Sequence, residues 1–334
     1  MKLKYSIFLF LLFSILSVGA QEIMEYERKI KNAEQYDFKE IEFINKENVK
    51  LSGTLIKPKN GFEKIIIIQP GSGKDTRYSH PKLTEEFLKN NIAVYRYDER
   101  GVGKSGGEYS RKVSTLKNDL FSCVMSLRKL EDIKNKELGI LGHSLGGMAS
   151  IGIFEFNPDV NFLIQMATPV NAGNSFKNRV SEQGTFKSPN KTIDETVKLI
   201  DTFNILIRTI DDYELLKKKC DKIRRKQKFP KSISRIYLSP QIVDIVKIDT
   251  EFLYEKIDIP TLFIIGDKDK LIDVKYGAKK LKEFDNKNLR IEVLDDMDHC
   301  LTYNMGEWSK SNESKIREVD DFAITKIINW INEL

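Results

Sequence analysis

The chain has 334 residues, 40% hydrophobic and 31% charged, which is enough for one large α/β domain with an insertion, or for two domains. Its formal net charge of +6 comes mostly from lysine and does not by itself point to a nucleic-acid partner. Cys123, Cys220 and Cys300 are odd in number and widely spaced, which excludes a disulfide framework; at most one bridge could form and none is expected. No Cys-x-x-Cys or His-x-x-x-His spacing offers a metal site, so neither metal nor organic cofactor is expected.

Residues 1–20 read as a secretory signal peptide. Lys2 and Lys4 precede the apolar run Ile7 to Leu16, and small residues through Ala20 offer a cleavage site before Gln21. The run is short for a membrane span, which needs about 20 apolar residues. No cysteine stands at the cleavage point to accept a lipid. Export to a periplasm or beyond is therefore expected, with no stable membrane insertion after cleavage.

Alternation of apolar and polar residues over 38–44 and 50–56, around Asn45 to Asn48, predicts an antiparallel hairpin. Residues 64–69, 92–97, 138–141, 161–166, 261–265 and 289–294 are rich in β-branched and other apolar residues. They predict strands, most of them buried on both faces. Helical patterns separate most of them, 81–90 among them. Strand–helix alternation implies a mostly parallel sheet of eight strands with helices on both faces. The rhythm breaks between Pro169 and Asp258, where Leu215, Ile223 and similar residues recur at helical spacing. Residues 171–258 are therefore expected to be a helical insertion, with 21–170 and 259–334 forming the core. The basic run Lys217 to Lys228 reads as a solvated helix face, because acidic residues flank it and no aromatics interleave it.

Gly142-His-Ser-Leu-Gly-Gly147 lies between a buried strand pattern and a helical one. A chain that turns sharply from strand to helix leaves Ser144 at the tip, with Gly142 and Gly146 removing clashes on either side. Gly147 would let the helix lie close to the sheet. A serine needs a base to take its proton. Of the three histidines, His143 adjoins the serine and is expected to point elsewhere. His80 precedes Pro81 and reads as a surface or capping residue. His299, just past the last strand, is the expected base. A carboxylate must orient that base, and Asp269, three residues beyond Gly266, is the first choice. Asp267 is the main rival, with Asp273 in the same loop; Asp295, Asp296 and Asp298 stand too close to His299 in sequence. The backbone N–H groups of Leu145 and Ser72 are the expected oxyanion donors. Gly101-Val-Gly-Lys-Ser105 lacks the first glycine of a phosphate loop, since Asp98 occupies that place. Asp98 and Arg100 are expected to brace the turn beside the site.

Together, Leu51-Ser-Gly-Thr-Leu55, Pro70-Gly-Ser-Gly73, Tyr97-Asp-Glu-Arg-Gly-Val-Gly-Lys-Ser105, Gly142 to Gly147, Gly266-Asp-Lys-Asp269 and His299 carry a resemblance. The chain resembles bacterial α/β-hydrolases of the serine aminopeptidase-like and acyl-esterase group. The resemblance implies an α/β-hydrolase fold, a Ser-Asp-His chain order and a helical cap above the elbow at 171–258. It implies a serine hydrolase acting on carboxylic esters or, alternatively, a peptidase acting on short peptides. A non-catalytic binding protein of the same fold is the third expectation.

Overall fold

The β-branched runs become strands because they can bury both faces at once. The computed structural model describes residues 30–186, 188, 190–303 and 318–334, so the signal peptide expected at 1–20 lies outside them. Strands β1 (Tyr36–Ile44) and β2 (Lys50–Pro58) form the antiparallel hairpin. Its turn is fixed by the Asn45 side chain, whose Oδ1 accepts the N–H groups of Glu47 and Val49, both at 2.9 Å. Then come β3 (Lys64–Gln69), β4 (Ile92–Tyr97), β5 (Glu137–His143), β6 (Phe162–Met166), β7 (Thr261–Gly266) and β8 (Leu289–Leu294). The sheet order is β1-β2-β4-β3-β5-β6-β7-β8. The β1–β2 and β2–β4 pairs are antiparallel and every later pair is parallel.

Strand β3 shows how the two layers are built. Ile65 and Ile67 join the core on one face, with Leu120 and Val124 of α2 (Val113–Leu127). Ile66 and Ile68 join the other, with Leu83 and Phe87 of α1 (Pro81–Lys89) and Ile327 of α11 (Asp321–Asn332). All four isoleucines are at most 1% exposed, and burying each stabilises the fold by about 2 kcal/mol. The elbow helix α3 (Leu145–Gly152) and α10 (Val274–Glu283) cover the first face.

Between β6 and β7 the described residues form six helices and no strand: α4 (Ala172–Gln183), α5 (Ile193–Thr209), α6 (Tyr213–Lys226), α7 (Lys231–Tyr237), α8 (Pro240–Lys247) and α9 (Thr250–Lys256). The first five share a core of their own around Phe203, Leu216 and Tyr237, whereas Leu253 and Tyr254 of α9 join the core of the sheet. Thr192 and Glu195 close a reciprocal capping box at the start of α5. Helix α6 carries the basic run. It turns Leu216 and Cys220 inward and pairs Lys217 with Glu214 and Arg224 with Asp221 on its wet side. The insertion is anchored to the core by Asp244, which accepts the Ser114 N–H at 3.1 Å. Glu251 adds to this by accepting from Asn171 and from the Tyr276 hydroxyl, each at 2.6 Å. No helix of the described residues is long and apolar enough to cross a membrane.

Because β4 and β5 flank β3 on opposite sides, the chain reverses direction across the sheet there. The carboxyl ends of β3 and β5 open a crevice at this switch point, the usual place for a ligand in such sheets. Pairing of Gln69 with Gly142 sets the loop after β3 beside the turn after β5.

Candidate active site

Ser144 stands in that turn with φ 54° and ψ −117°, a conformation side chains rarely adopt. The turn is held by its N–H, which donates to the Met166 carbonyl on β6 at 2.9 Å. It is also held by its carbonyl, which accepts the Gly147 N–H at 3.0 Å. Its hydroxyl makes no capping bond to α3. The glycines are sterically required. A Cβ on Gly146 would stand 2.1 Å from the Pro70 carbonyl oxygen, and one on Gly142 would stand 2.6 Å from the Gly147 Cα. The turn therefore wedges between two backbones and strain is concentrated at Ser144.

A cavity of about 550 Å³ opens over the turn, lined among others by Gly71, Ser72, His80, His143, Ser144 and His299. Gly71 packs on the serine: a Cβ built there would lie 3.4 Å from the Ser144 Cβ. The expected oxyanion residue Ser72 thus sits on the loop against Ser144, and Leu145 opens the helix behind it. The Tyr109 hydroxyl reaches the carbonyl oxygens of Ser72 and Gly73, at 2.9 and 2.5 Å, which fixes the loop from outside.

The imidazole of His299 donates from Nδ1 to the Asp269 Oδ2 at 2.7 Å. The other carboxylate oxygen of Asp269 accepts the N–H groups of Leu271 and Ile272, at 2.7 and 3.1 Å. The Asp269 side chain is fully enclosed and the His299 ring nearly so. The rival carboxylates are engaged elsewhere. Asp267 accepts the Asp296 N–H at 2.7 Å and pairs with Lys268. Asp273 caps α10, and Asp298 accepts the Cys300 and Thr302 N–H groups. Asp269 and His299 are therefore brought together, as sequence reasoning expects, and His299 shares the cavity with Ser144.

His143 points away from Ser144, as expected, whereas His80 departs from expectation. His80 is neither a surface residue nor a side-chain cap. It precedes α1 with a left-handed backbone (φ 54°), which turns its ring into the cavity wall. There its Nε2 lies 3.2 Å from the His143 Nδ1, and the His143 Nε2 lies 3.2 Å from the His299 carbonyl oxygen. Burial, then the charge of Arg96, pulls the His80 imidazole down to about 4. Burial, then His299 and His80, holds His143 well below the ordinary histidine range. Both rings are neutral at pH 7. Its place just before Pro81 is the only sign of His80 in the sequence, and that sign says nothing of its partner.

Asp98 does brace the neighbouring loop, through a partner that sequence reasoning missed. The Arg77 Nη2 pairs with the Asp98 Oδ2 at 2.8 Å, its own N–H donates to the Asp98 Oδ1, and its side chain is 1% exposed. Asp98 also accepts the Lys104 N–H at 2.8 Å. Arg100 pairs with Asp119 at 2.7 Å, deeper in the core. Behind the cavity wall, Glu99 accepts the Asp75 N–H at 3.3 Å. Burial, then the Asp75 charge, pushes its carboxyl up to about 9. The residues identified as lining the cavity include none from 171–258; the walls come from 71–83, Leu271, His299, Cys300, Glu318 and Val319. From the insertion, Ile245 and Ile248 pack against a cluster formed by Val113, Leu116, Leu145, Met148, Ala149 and Ala172. Among the described residues no cluster of histidine, cysteine and carboxylate side chains suited to a metal ion occurs.

Comparison with known proteins places this geometry. The family described as serine aminopeptidase, S33 (Hydrolase_4) matches residues 62–305. Esterase EstD of Thermotoga maritima is 21% identical over 309 residues, spanning 88% of this chain and 69% of that protein. Thiohydrolase aneE of Aspergillus aculeatus is 29% identical over 145 residues, spanning 42% of this chain and 45% of that protein. The match thus covers less than half of that relative's length. Among solved structures, the Pyrococcus furiosus esterase Pf2001 superposes with a TM-score of 0.56 at 19% identity, covering 89% of this chain and 93% of its own. Est1E of Butyrivibrio proteoclasticus, solved with ferulic acid bound, gives 0.53 at 16% identity, covering 87% and 98%. At these identities the structural likeness speaks for the fold alone. The family match covers most of the chain, and the chain belongs to the serine aminopeptidase S33 family of α/β-hydrolases.

Proposed function

We propose that the chain is an exported serine hydrolase that cleaves carboxylic esters through an acyl-enzyme. His299 takes the Ser144 proton at Nε2 as the hydroxyl attacks the ester carbonyl. Its Nδ1–H stays on Asp269, which stabilises the imidazolium formed. The amides of Leu145 and Ser72 receive the oxyanion at the positive end of α3. The alcohol leaves with a proton from His299, and water then cleaves the acyl-enzyme through the same groups. The observation that carries this reading is the 2.7 Å bond between the His299 Nδ1 and the Asp269 Oδ2 in the cavity wall that also holds Ser144. The relatives named esterase and thiohydrolase support acyl transfer. The test is a panel of p-nitrophenyl esters of rising acyl length. Turnover that disappears in Ser144→Ala is expected, and turnover equal in wild type and Ser144→Ala would overturn the proposal.

A second reading is hydrolysis of short peptides. Asp75 and Glu318 place carboxyl groups in the cavity lining, where a peptide's ammonium terminus could be held. Aminoacyl amides distinguish the two: faster turnover of amides bearing a free α-amino group than of simple esters would favour the peptidase. The proposed export has its own test. N-terminal sequencing of the protein from a bacterial periplasm should start at or near Gln21, and a cytoplasmic chain retaining Met1 would refute it.

A further inference from the structure

All three histidines of the chain meet in one row beside the elbow. Ring centroids of His80 and His143 are 5.2 Å apart, and those of His143 and His299 are 5.1 Å apart. The row ends on the backbone carbonyl of His299, which can only accept. The His143 Nε2 must therefore carry a hydrogen. If the His143 Nδ1 carried one too, the ring would be a cation. Among the described residues neither nitrogen of His143 meets a carboxylate that would offset such a charge: Nδ1 faces the His80 ring and Nε2 faces the His299 carbonyl. So the His143 Nδ1 is bare, and the hydrogen in the 3.2 Å gap to His80 belongs to the His80 Nε2. A neutral His80 then has a bare Nδ1, and that atom is buried with no partner among the described residues. One carbonyl thus dictates both tautomers.

The row cannot relay protons. Its last member is a carbonyl oxygen rather than the ring of His299, so no proton can pass from the base into His143. What it does is mechanical. His143 is the last residue of β5 and Ser144 is the next, so a side chain rooted in the nucleophile's own strand grips the backbone of the residue 156 positions later.

We propose that His143 is a positioning residue, whose Nε2–H, oriented by the donor on His80, holds the His299 carbonyl and thereby sets where the His299 ring stands over Ser144. This rests on the reading of His299 as the general base. Loss of the grip lets the base drift, and a misplacement of about 1 Å can cost about 10²-fold in rate.

The first test needs no activity. In the wild-type protein, two-bond ¹H–¹⁵N spectra of the imidazoles contain only three ring systems. At pH 7, His143 and His80 should each show a protonated Nε2 and a bare Nδ1. A His143 protonated at Nδ1, or doubly protonated, overturns the proposal. The second test is kinetic. His143→Phe fills the space without the donor and should lower kcat for a p-nitrophenyl ester by about 10²-fold with KM changed by less than about threefold. His143→Gln, whose amide reaches the same carbonyl, should restore kcat to within about fivefold of wild type. Phe and Gln variants of equal kcat would refute the grip. If Ser144→Ala keeps full turnover, the reading of the site fails instead, while the spectra still decide the hydrogen-bond row.

Discussion

Replacing Asp269 by Asn separates chemistry from folding more cleanly than any other single change. One carboxylate oxygen of Asp269 already accepts two backbone N–H groups, from Leu271 and Ile272. An asparagine has one oxygen, and it is held there by the same two donors. Its NH₂ must then face the His299 Nδ1, where the carboxylate now accepts at 2.7 Å. Two donors cannot share that gap, so the imidazole flips to the tautomer with a bare Nδ1 and a hydrogen on Nε2. A ring protonated at Nε2 cannot take the Ser144 proton. The expected loss in kcat is about 10⁴-fold, or ~5.5 kcal/mol of transition-state stabilisation. The backbone bonds survive, so the urea midpoint should move little. Steady-state kinetics on a p-nitrophenyl ester at pH 7 reads the effect. Asp267→Asn serves as comparison and should stay within about threefold of wild type, since Asp267 holds Asp296 and Lys268 instead. A kcat for Asp269→Asn within about tenfold of wild type, or an equal loss in Asp267→Asn, would refute the assignment.

Gly146→Ala drives a Cβ to 2.1 Å from a backbone oxygen that cannot rotate away, and should cost about 3 kcal/mol by urea denaturation; an unchanged midpoint would contradict the wedged turn. Arg77→Met leaves the Asp98 carboxylate buried without its cation and should cost about 3–5 kcal/mol, part of it restored in Arg77→Met/Asp98→Asn; full additivity of the two single changes would contradict the pairing. Glu99 carries the clearest pH dependence. Its folded carboxyl is raised to about 9 by burial and then Asp75, so its proton stabilises the fold fully below the unfolded value of about 4.5, and that contribution is lost as pH rises to about 9. The slope between those values is at most about 1.4 kcal/mol per pH unit. Glu99→Gln should accordingly raise Tm more at pH 8.5 than at pH 5; a gain independent of pH would show that Glu99 is ionised in the fold.

What could be read from the sequence follows from which interactions are local. Residues 64–68 announce a strand because burial on both faces demands a continuous apolar run. Ser144 and its flanking glycines announce the elbow because the turn itself selects them. Asp269 and His299 are legible from their places just past β7 and β8, since parallel strands deliver all their carboxyl ends to one edge. Arg77 was not legible: its value lies in reaching Asp98 at the end of another strand, and an isolated arginine carries no sign of its partner. The place of His80 is hidden for the same reason, because its contact with His143 exists only once β3 and β5 pair. Helical spacing in 171–258 shows which side of each helix is buried but not against what. The walls around Ser144 come from the loop after β3 and from the chain near His299, and Ile245 and Ile248 of the insertion pack against a cluster that includes Leu145 and Met148 of the elbow helix.

The nucleophile itself is open to direct measurement. A fluorophosphonate should phosphonylate the wild-type protein once, and peptide mapping by mass spectrometry should place the adduct on Ser144. Ser144→Ala should remain unlabelled, and Asp269→Asn should label far more slowly. An adduct on another residue, or a Ser144→Ala protein labelled as fast as wild type, would contradict the assignment of Ser144 as the reacting hydroxyl.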